Sequence, residues 1–422
     1  MTDPDALNVW FEDRLVGYLW RNPIGTMGFR YEPDWIRAGG FAVSRTLPLA
    51  TEDFSAEDSV AHRFFANLLP EGSVRDHIVR DLKISNTDFD LLRAIGGECA
   101  GALSILSVEQ EPSEDRSYRP LPDEELARLV ALRGQIYAAW PKAKRPRLSL
   151  AGAQDKCPVL IRDGHTFLPE GEAPSSHILK FELPDYRHLP AYETFTSHLA
   201  KQIGLPVVDI ELHSIEKRFY AQIERYDRVW DANSKTGGEV QRLHQEDFCQ
   251  ALGYGFEKKY QDSGGPTFAD CYQLLQGAST DPAIDTQNLL RWQIFNVLAG
   301  NSDGHAKNLS LLYLQNGEIR LSPFYDLVCT RAIERIDYHL AFAVGGQRDP
   351  GQITTAHWDT LARQCDVGSR FLRRLLQDTA ASLLEQISNT KALFEAQYGD
   401  YPSLQRIERV VTQQCHRQIP ES

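Results

Sequence analysis

Apolar and polar positions alternate with period two in the first residues of the chain, NVWFEDRLVGYLW (8–20), on either side of Glu12, Asp13 and Arg14. That spacing predicts a β-hairpin. Two helical stretches follow. In SAEDSVAHRFFANLLP (55–70), Ser55 is the expected N-cap, Glu57 and Asp58 fall in the first turn, and Pro70 lies beyond the end. DFDLLRAIG (88–96) predicts a second helix, stopped at Gly96 and Gly97. Residues 109–122 are charged and proline-containing and are expected to be a linker. The segment 122–140 predicts one helix, followed by a basic loop. Short β-type runs come next: two around Asp163-Gly164, a hairpin turn pair, then SSHILKFEL (175–183), VVDIELHSI (207–215) and RFYAQIERYD (218–227), with the amphipathic helix AYETFTSHLAKQIG (191–204) inserted. From His244 onward the spacing is near 3.6, and QEDFCQALG (245–253) and four further stretches predict helices. One segment breaks that pattern. NLSLLYLQNGEIRLSPFYD (308–326) has Asn316-Gly317 between two apolar runs, a strong hairpin signal.

The expected fold class is α+β, two-lobed and protein-kinase-like. Residues 1–110 would form a mixed N-terminal subdomain. Residues 111–226 would form a linker helix and the smaller kinase lobe, and 227–422 the helical lobe with the catalytic and metal-binding loops.

Composition narrows the function more than the fold. A formal net charge of −13 argues against a chain that binds nucleic acid by itself. The one basic cluster, Lys142, Lys144, Arg145 and Arg147, reads as a solvated loop. Seven cysteines, an odd number without C-x-x-C spacing, argue against a zinc site or a disulfide framework. No apolar run reaches the roughly 20 residues a membrane span needs. The acidic N-terminus lacks the layout of a secretory signal, so the expected location is the cytoplasm.

The chemistry is concentrated in Asn301-Ser-Asp-Gly-His-Ala-Lys-Asn308, after a long apolar helix and before the Asn-Gly hairpin that leads to Asp326. Protein kinases follow the same order: catalytic Asp, Asn five residues on, hairpin, metal-binding Asp. Asp303 can align a nucleophilic hydroxyl and accept its proton. Asn308 and Asp326 offer the hard oxygen donors magnesium prefers. Lys307 can offset charge on the moving phosphoryl group. His305 is either a participant or a structural hydrogen-bonding residue. Upstream, Lys180 on the HILK strand is placed to reach nucleotide phosphates, with Glu193 on the next helix as its acidic partner. The small-residue turn Ala151-Gly152-Ala153-Gln154, before Lys156, can bring backbone N–H groups to phosphate. Glu224, Arg225 and Tyr226 fall where an interlobe hinge would meet adenine. The expected cofactors are ATP and Mg2+.

RLSLAGAQDK (147–156), HILKFEL (177–183), QEDFCQALG (245–253), SGGP (263–266), NSDGHAKN (301–308) and SPFYDL (322–327) together resemble the HipA family of bacterial type II toxin–antitoxin kinases. FFANLLPEGSVR (64–75) and FDLLRAIGGECAGAL (89–103) resemble its N-terminal subdomain. The resemblance implies an ATP- and magnesium-dependent Ser/Thr kinase. It implies growth arrest and persistence through phosphorylation of an aminoacyl-tRNA synthetase, most often the glutamyl enzyme. Ser149 matches the family's autophosphorylated, inactivating serine. The implied partner is a HipB-like helix-turn-helix antitoxin, which would bring the complex to operator DNA. Departures from ordinary kinases are Asn301-Ser302 before the catalytic Asp, Tyr-Asp-Leu at the metal Asp, and no Ala-Pro-Glu segment. A small-molecule kinase and an inactive regulator remain the alternatives.

Overall fold

A computed structural model describes residues 5–112, 116–140, 149, 151–152, 154–186, 188–231, 239–401 and 403–419. The chain forms two compact units. One holds residues 1–183, 214–256 and 312–315; the other holds 184–213, 257–311 and 316–422.

Two larger sheets lie in the first unit, beside the two-stranded pair Arg228–Asp231 and Glu239–Arg242. The predicted hairpin is present as Ala6–Phe11 and Arg14–Arg21, with a register shift between Val9 and Trp10. Met27–Tyr31 and Asp53–Phe54 extend it on one side and Leu103–Ser107 on the other. Five of the six strands of the second sheet run in the order Arg218–Glu224, His177–Phe181, Lys156–Arg162, His165–Pro169 and Tyr118–Pro120. Asp163 and Gly164 have φ of 50° and 74°, the left-handed pair a two-residue hairpin turn requires. One hydrophobic core runs from Leu7 and Phe29 through Phe64, Phe65, Leu129 and Trp140 to Val159 and Phe181, so apolar packing joins both sheets.

That core extends past the expected division at residue 110. The proposed linker, residues 109–122, supplies a strand of the second sheet. The helix expected over 122–140 is split into Asp123–Ala131 and Ile136–Ala139. Gly134 lies between them with φ of 81°, and a Cβ there would be 2.3 Å from Phe181 Cδ2, so the chain must turn to clear that ring. The helix expected from Ser55 begins at Val60, and Ser55 Oγ donates to Asp58 instead of capping. Gly72–Leu82 is a helix the apolar spacing did not reveal. QEDFCQALG is part strand, His244–Asp247, and part helix, Phe248–Leu252, with Asp247 and Gln250 forming a capping box.

The second unit is mainly helical. Pro282–Ala299 is its central helix, buried along most of its length, and it packs on Phe268–Ala278, Ser369–Tyr398 and Leu404–Gln418. Leu189–Gln202, expected in the smaller lobe, belongs here: Phe195 meets Phe394 of the Ser369–Tyr398 helix edge to face at 5.5 Å. Conversely, residues 227–256, expected in the helical lobe, belong to the first unit.

Candidate active site

The central helix ends at Gly300, φ 71°, and releases the chain into residues 301–308. Hydrogen bonds fix this loop from behind. Asn296 Oδ1 accepts from Asn301 Nδ2 at 3.0 Å, and Asn301 Oδ1 accepts from the Asp303 N–H at 3.1 Å. Gly304 lies so close to the helix that a Cβ would be 2.6 Å from Asn296 Nδ2 and 3.2 Å from Trp292, so a side chain there would push the loop outward. Asp303 O accepts from the His305 N–H and, at 2.9 Å, from Asn308 Nδ2. Donation through Nδ2 sets the amide of Asn308 with its oxygen on the opposite side.

Asp303 is exposed, whereas His305, Lys307 and Asn308 are buried. Asp303 Oδ1 accepts from Tyr260 Oη at 2.5 Å. Tyr325 Oη donates to Lys307 O at 2.8 Å and shares a hydrogen bond with Ser310 Oγ, tying the loop to the segment that carries Asp326.

Asp326 is placed by packing on the same helix. Phe324 stacks on Trp292 at 5.9 Å, and its backbone bonds Pro206 O and the Val208 N–H. Asp285, buried near the start of the helix, accepts from Arg320, the Leu321 N–H and Ser279, and so pins the returning strand Ile319–Leu321. Asp326 itself has φ of 55°. A left-handed aspartate costs of order 1 kcal/mol and persists because its neighbours impose it. An amide oxygen at Asn308 and a partly exposed carboxylate at Asp326 are hard donors of the kind a magnesium ion takes together with phosphate oxygens. No group of three His, Cys, Asp or Glu side chains that could hold a metal alone occurs among the described residues.

The expected nucleotide residues lie in the first unit, except Glu193, buried on the Leu189–Gln202 helix of the second. Lys156 and Lys180 are direct partners on neighbouring antiparallel strands, so both side chains leave the same sheet face. Lys180 is buried, and Lys156 Nζ donates to Ala151 O at 2.9 Å. Gly152, φ 122°, lets that ammonium lie beneath the turn; a Cβ there would be 3.0 Å from Nζ. Gly152 O accepts from the Glu71 N–H, and Gln154 Nε2 donates to Phe181 O. Ala153 and the basic cluster at 142–147 lie outside the described residues. Ser149 is fully buried: its N–H donates to Glu98 O and its Oγ to Leu68 O, both at 2.9 Å.

Glu224 is exposed at the end of its strand, and the Arg225 N–H donates to Ser176 O. Tyr226 Oη donates to Gln245. The Arg225 guanidinium is enclosed by protein, bonded to Glu98 at 2.9 Å and to Asp227 at 2.7 Å. Only its backbone is therefore left for a base. Glu98 also receives Arg228 and Arg242. Burial pushes the Glu98 carboxyl up, but the three guanidiniums outweigh it and hold the group well below the usual carboxylate range.

Sequence patterning missed Tyr260, Asn296 and Glu98, and gave Asn301 no role. The first could have been suspected from the nearby S-G-G-P motif, which had no assigned role. All seven cysteines are buried, and burial pushes the thiols of Cys99, Cys329, Cys365 and Cys415 up to about 12.

Comparison with known proteins shows the family. Residues 148–389 match the HipA-like C-terminal domain, and residues 7–106 match the HipA N-terminal domain. The chain belongs to the HipA family. It is 32% identical to the serine/threonine-protein kinase toxin HipA of Shewanella oneidensis, over 82% of this chain and 80% of that protein. It is 38% identical to "Putative kinase Y4mE" of Sinorhizobium fredii, over 92% and 93% of the two chains. HipA from a Shewanella oneidensis complex with HipB and operator DNA superposes with a TM-score of 0.82 at 28% identity, covering 98% of this chain and 97% of that one. The fold is thus that of the HipA kinases. No helix among the described residues is long and apolar enough to cross a membrane.

Proposed function

We propose that this protein is a Ser/Thr kinase toxin that transfers the γ-phosphoryl group of ATP to a protein hydroxyl. The observation that carries the reading is the Asn308 Nδ2 to Asp303 O bond. It holds a general base and a metal-facing amide in one rigid turn. Asp303 accepts the proton of the attacking hydroxyl, and Lys307 balances charge on the transferred group. Asn308 and Asp326 hold Mg2+, which neutralises charge on the phosphates when bound. Lys180, Lys156 and the backbone of residues 151–154 take the phosphates, Glu193 serves as the acidic partner of Lys180, and the backbone of residues 224–226 takes adenine. His305 acts through the loop: its N–H is one of the bonds that fix the Asp303 carbonyl.

The substrate is an aminoacyl-tRNA synthetase, with the glutamyl enzyme first to be tested. Its modification arrests growth and leads to persistence. Ser149 is the autophosphorylation site that inactivates the kinase. Its enclosed hydroxyl supports that role, because a phosphoserine brings about −1.5 to −2 charges and three acceptor oxygens. Such a group cannot stay buried against the Leu68 and Glu98 carbonyls. The loop must leave the phosphate site to be modified and cannot return afterwards. A HipB-like helix-turn-helix antitoxin is the partner, with the pair repressing its own operator. A net charge of −13 is consistent with the antitoxin supplying the DNA-binding surface.

The test is to incubate the purified protein with magnesium-ATP and a bacterial lysate and to map new phosphosites by mass spectrometry, with Asp303→Gln as control. One dominant synthetase site plus phospho-Ser149, both absent with the variant, is the expected result. ATP binding without any new protein phosphosite, from protein unmodified at Ser149, would sink it.

A further inference from the structure

Tyr260 makes a contact at Asp303 that the kinase motif does not explain. Its hydroxyl donates to Oδ1 at 2.5 Å, a charge-assisted bond to the carboxylate proposed as the base. Three independent features hold the tyrosine there. Its ring meets the His305 ring edge to face at 5.0 Å, so it is braced against the catalytic loop as well as bonded to it. The preceding residue is docked on the same loop, because Lys259 O accepts from the Ala306 N–H at 3.3 Å. Finally, Tyr260 O receives the N–H groups of Ser263 and Gly265 at 3.2 and 3.1 Å, closing residues 260–265 into a tight turn.

The glycines of S-G-G-P now acquire a physical reason. Gly264 has φ of 78°, which favours glycine. A Cβ on Gly265 would be 1.9 Å from Lys258 O and 2.7 Å from Tyr260 O. Both contacts are to backbone, so no rotamer change could relieve them. The turn is compact enough to press Tyr260 onto the loop only because residue 265 has no side chain.

We propose that Tyr260 is a positioning residue for phosphoryl transfer. Its hydroxyl occupies Oδ1 of Asp303 and fixes the carboxylate plane, so that Oδ2 faces the incoming hydroxyl. Without it the carboxylate loses one of the bonds that set its orientation and reaches the productive one in a smaller fraction of encounters. Tyr260 is not among the residues proposed to hold the nucleotide, so the effect is expected on turnover and not on ATP binding. This inference rests on Asp303 being the base.

The experiment compares wild type, Tyr260→Phe and Asp303→Asn in initial rates of labelled phosphate transfer from γ-labelled ATP to lysate protein over a range of ATP concentrations. Phenylalanine keeps the ring against His305 and removes only the donor. The expected result is a kcat lowered about tenfold with KM for ATP unchanged within twofold, and a melting temperature within about 2 °C of wild type. A Tyr260→Phe kcat equal to wild type overturns the inference. So does a faster variant, which would mean that the hydroxyl competes with the substrate, and so does a loss confined to KM. If Asp303→Asn retains wild-type rate, the assignment of the base fails, and that result is read separately from the tyrosine variant.

Discussion

Two acidic residues, Glu98 in the first unit and Asp303 in the second, show opposite uses of a carboxylate. Glu98 is fully buried and receives three arginines, and Asp227 takes charge from two of the same three. Its backbone carbonyl holds Ser149, and its partners come from residues 225, 228 and 242. A saturated, dehydrated charge of this kind can do no chemistry. It joins distant stretches of chain in one arrangement. Asp303 is held just as firmly through its backbone, by Asn301, His305 and Asn308, but its carboxylate is exposed and meets a tyrosine hydroxyl. The rigidity is in the main chain, and the reactive group is left accessible. Charge neutralised on all sides builds the fold, whereas charge supported from behind serves the reaction.

The sharpest way to break this contrast is to remove each acid in turn. Asp303→Asn is expected to lower phosphoryl transfer by about 10²- to 10⁴-fold, the range for loss of a general base. Its melting temperature should stay within about 2 °C, since an exposed side chain is changed. A stable variant with wild-type transfer would remove Asp303 from the centre. Glu98→Gln should do the reverse. It leaves three buried guanidiniums under-neutralised and should cost about 3–5 kcal/mol in urea unfolding. The folded-state pKa of Glu98 is depressed, so its contribution is present above the unfolded carboxylate range and is lost as pH falls through and below that range. The gap between wild type and Glu98→Gln should therefore narrow on acidification, and a gap independent of pH would contradict the network.

Smaller effects sharpen the same comparison. Asp155, next to Lys156, has a carboxyl pushed up to about 6 by burial, with His77 opposing. Its folded value lies above its unfolded one, so its contribution is fully present below about 4 and is lost as pH rises through 6. Asp155→Asn should gain stability relative to wild type between those limits, by about 1–2 kcal/mol after solvent screening. Parallel stability curves from pH 4 to pH 7 would refute this. Ser149→Ala should lose about 1 kcal/mol, the worth of its hydrogen bond to Leu68 O. It should also remain unphosphorylated at the main autophosphorylation site. A phosphate found at another residue by mass spectrometry would remove Ser149 from that role.

Much of the kinase arrangement was legible in the chain because it is local. Asp303 to Asn308 is one turn, Asn316-Gly317 is a hairpin signal of its own, and Lys180 lies on a strand that alternation reveals. The packing partners of residues 109–122 and 227–256 were not legible. They depend on which apolar faces find each other, and the second sheet shares its core with the first. Ser55 had every mark of an N-cap, yet the helix starts at Val60, because capping residues compete with local side-chain bonds such as Ser55 to Asp58.

The sequence by itself determined the order of the chemical groups and the type of element carrying each, since periodicity and turn residues act over a few positions. Only the tertiary structure decided that Glu98 would meet Arg225, Arg228 and Arg242, that Ser149 would be enclosed, and that Tyr260 would reach Asp303. Those partners are separated by between 43 and 144 residues. No periodicity encodes such a meeting; it follows from the packing of whole elements.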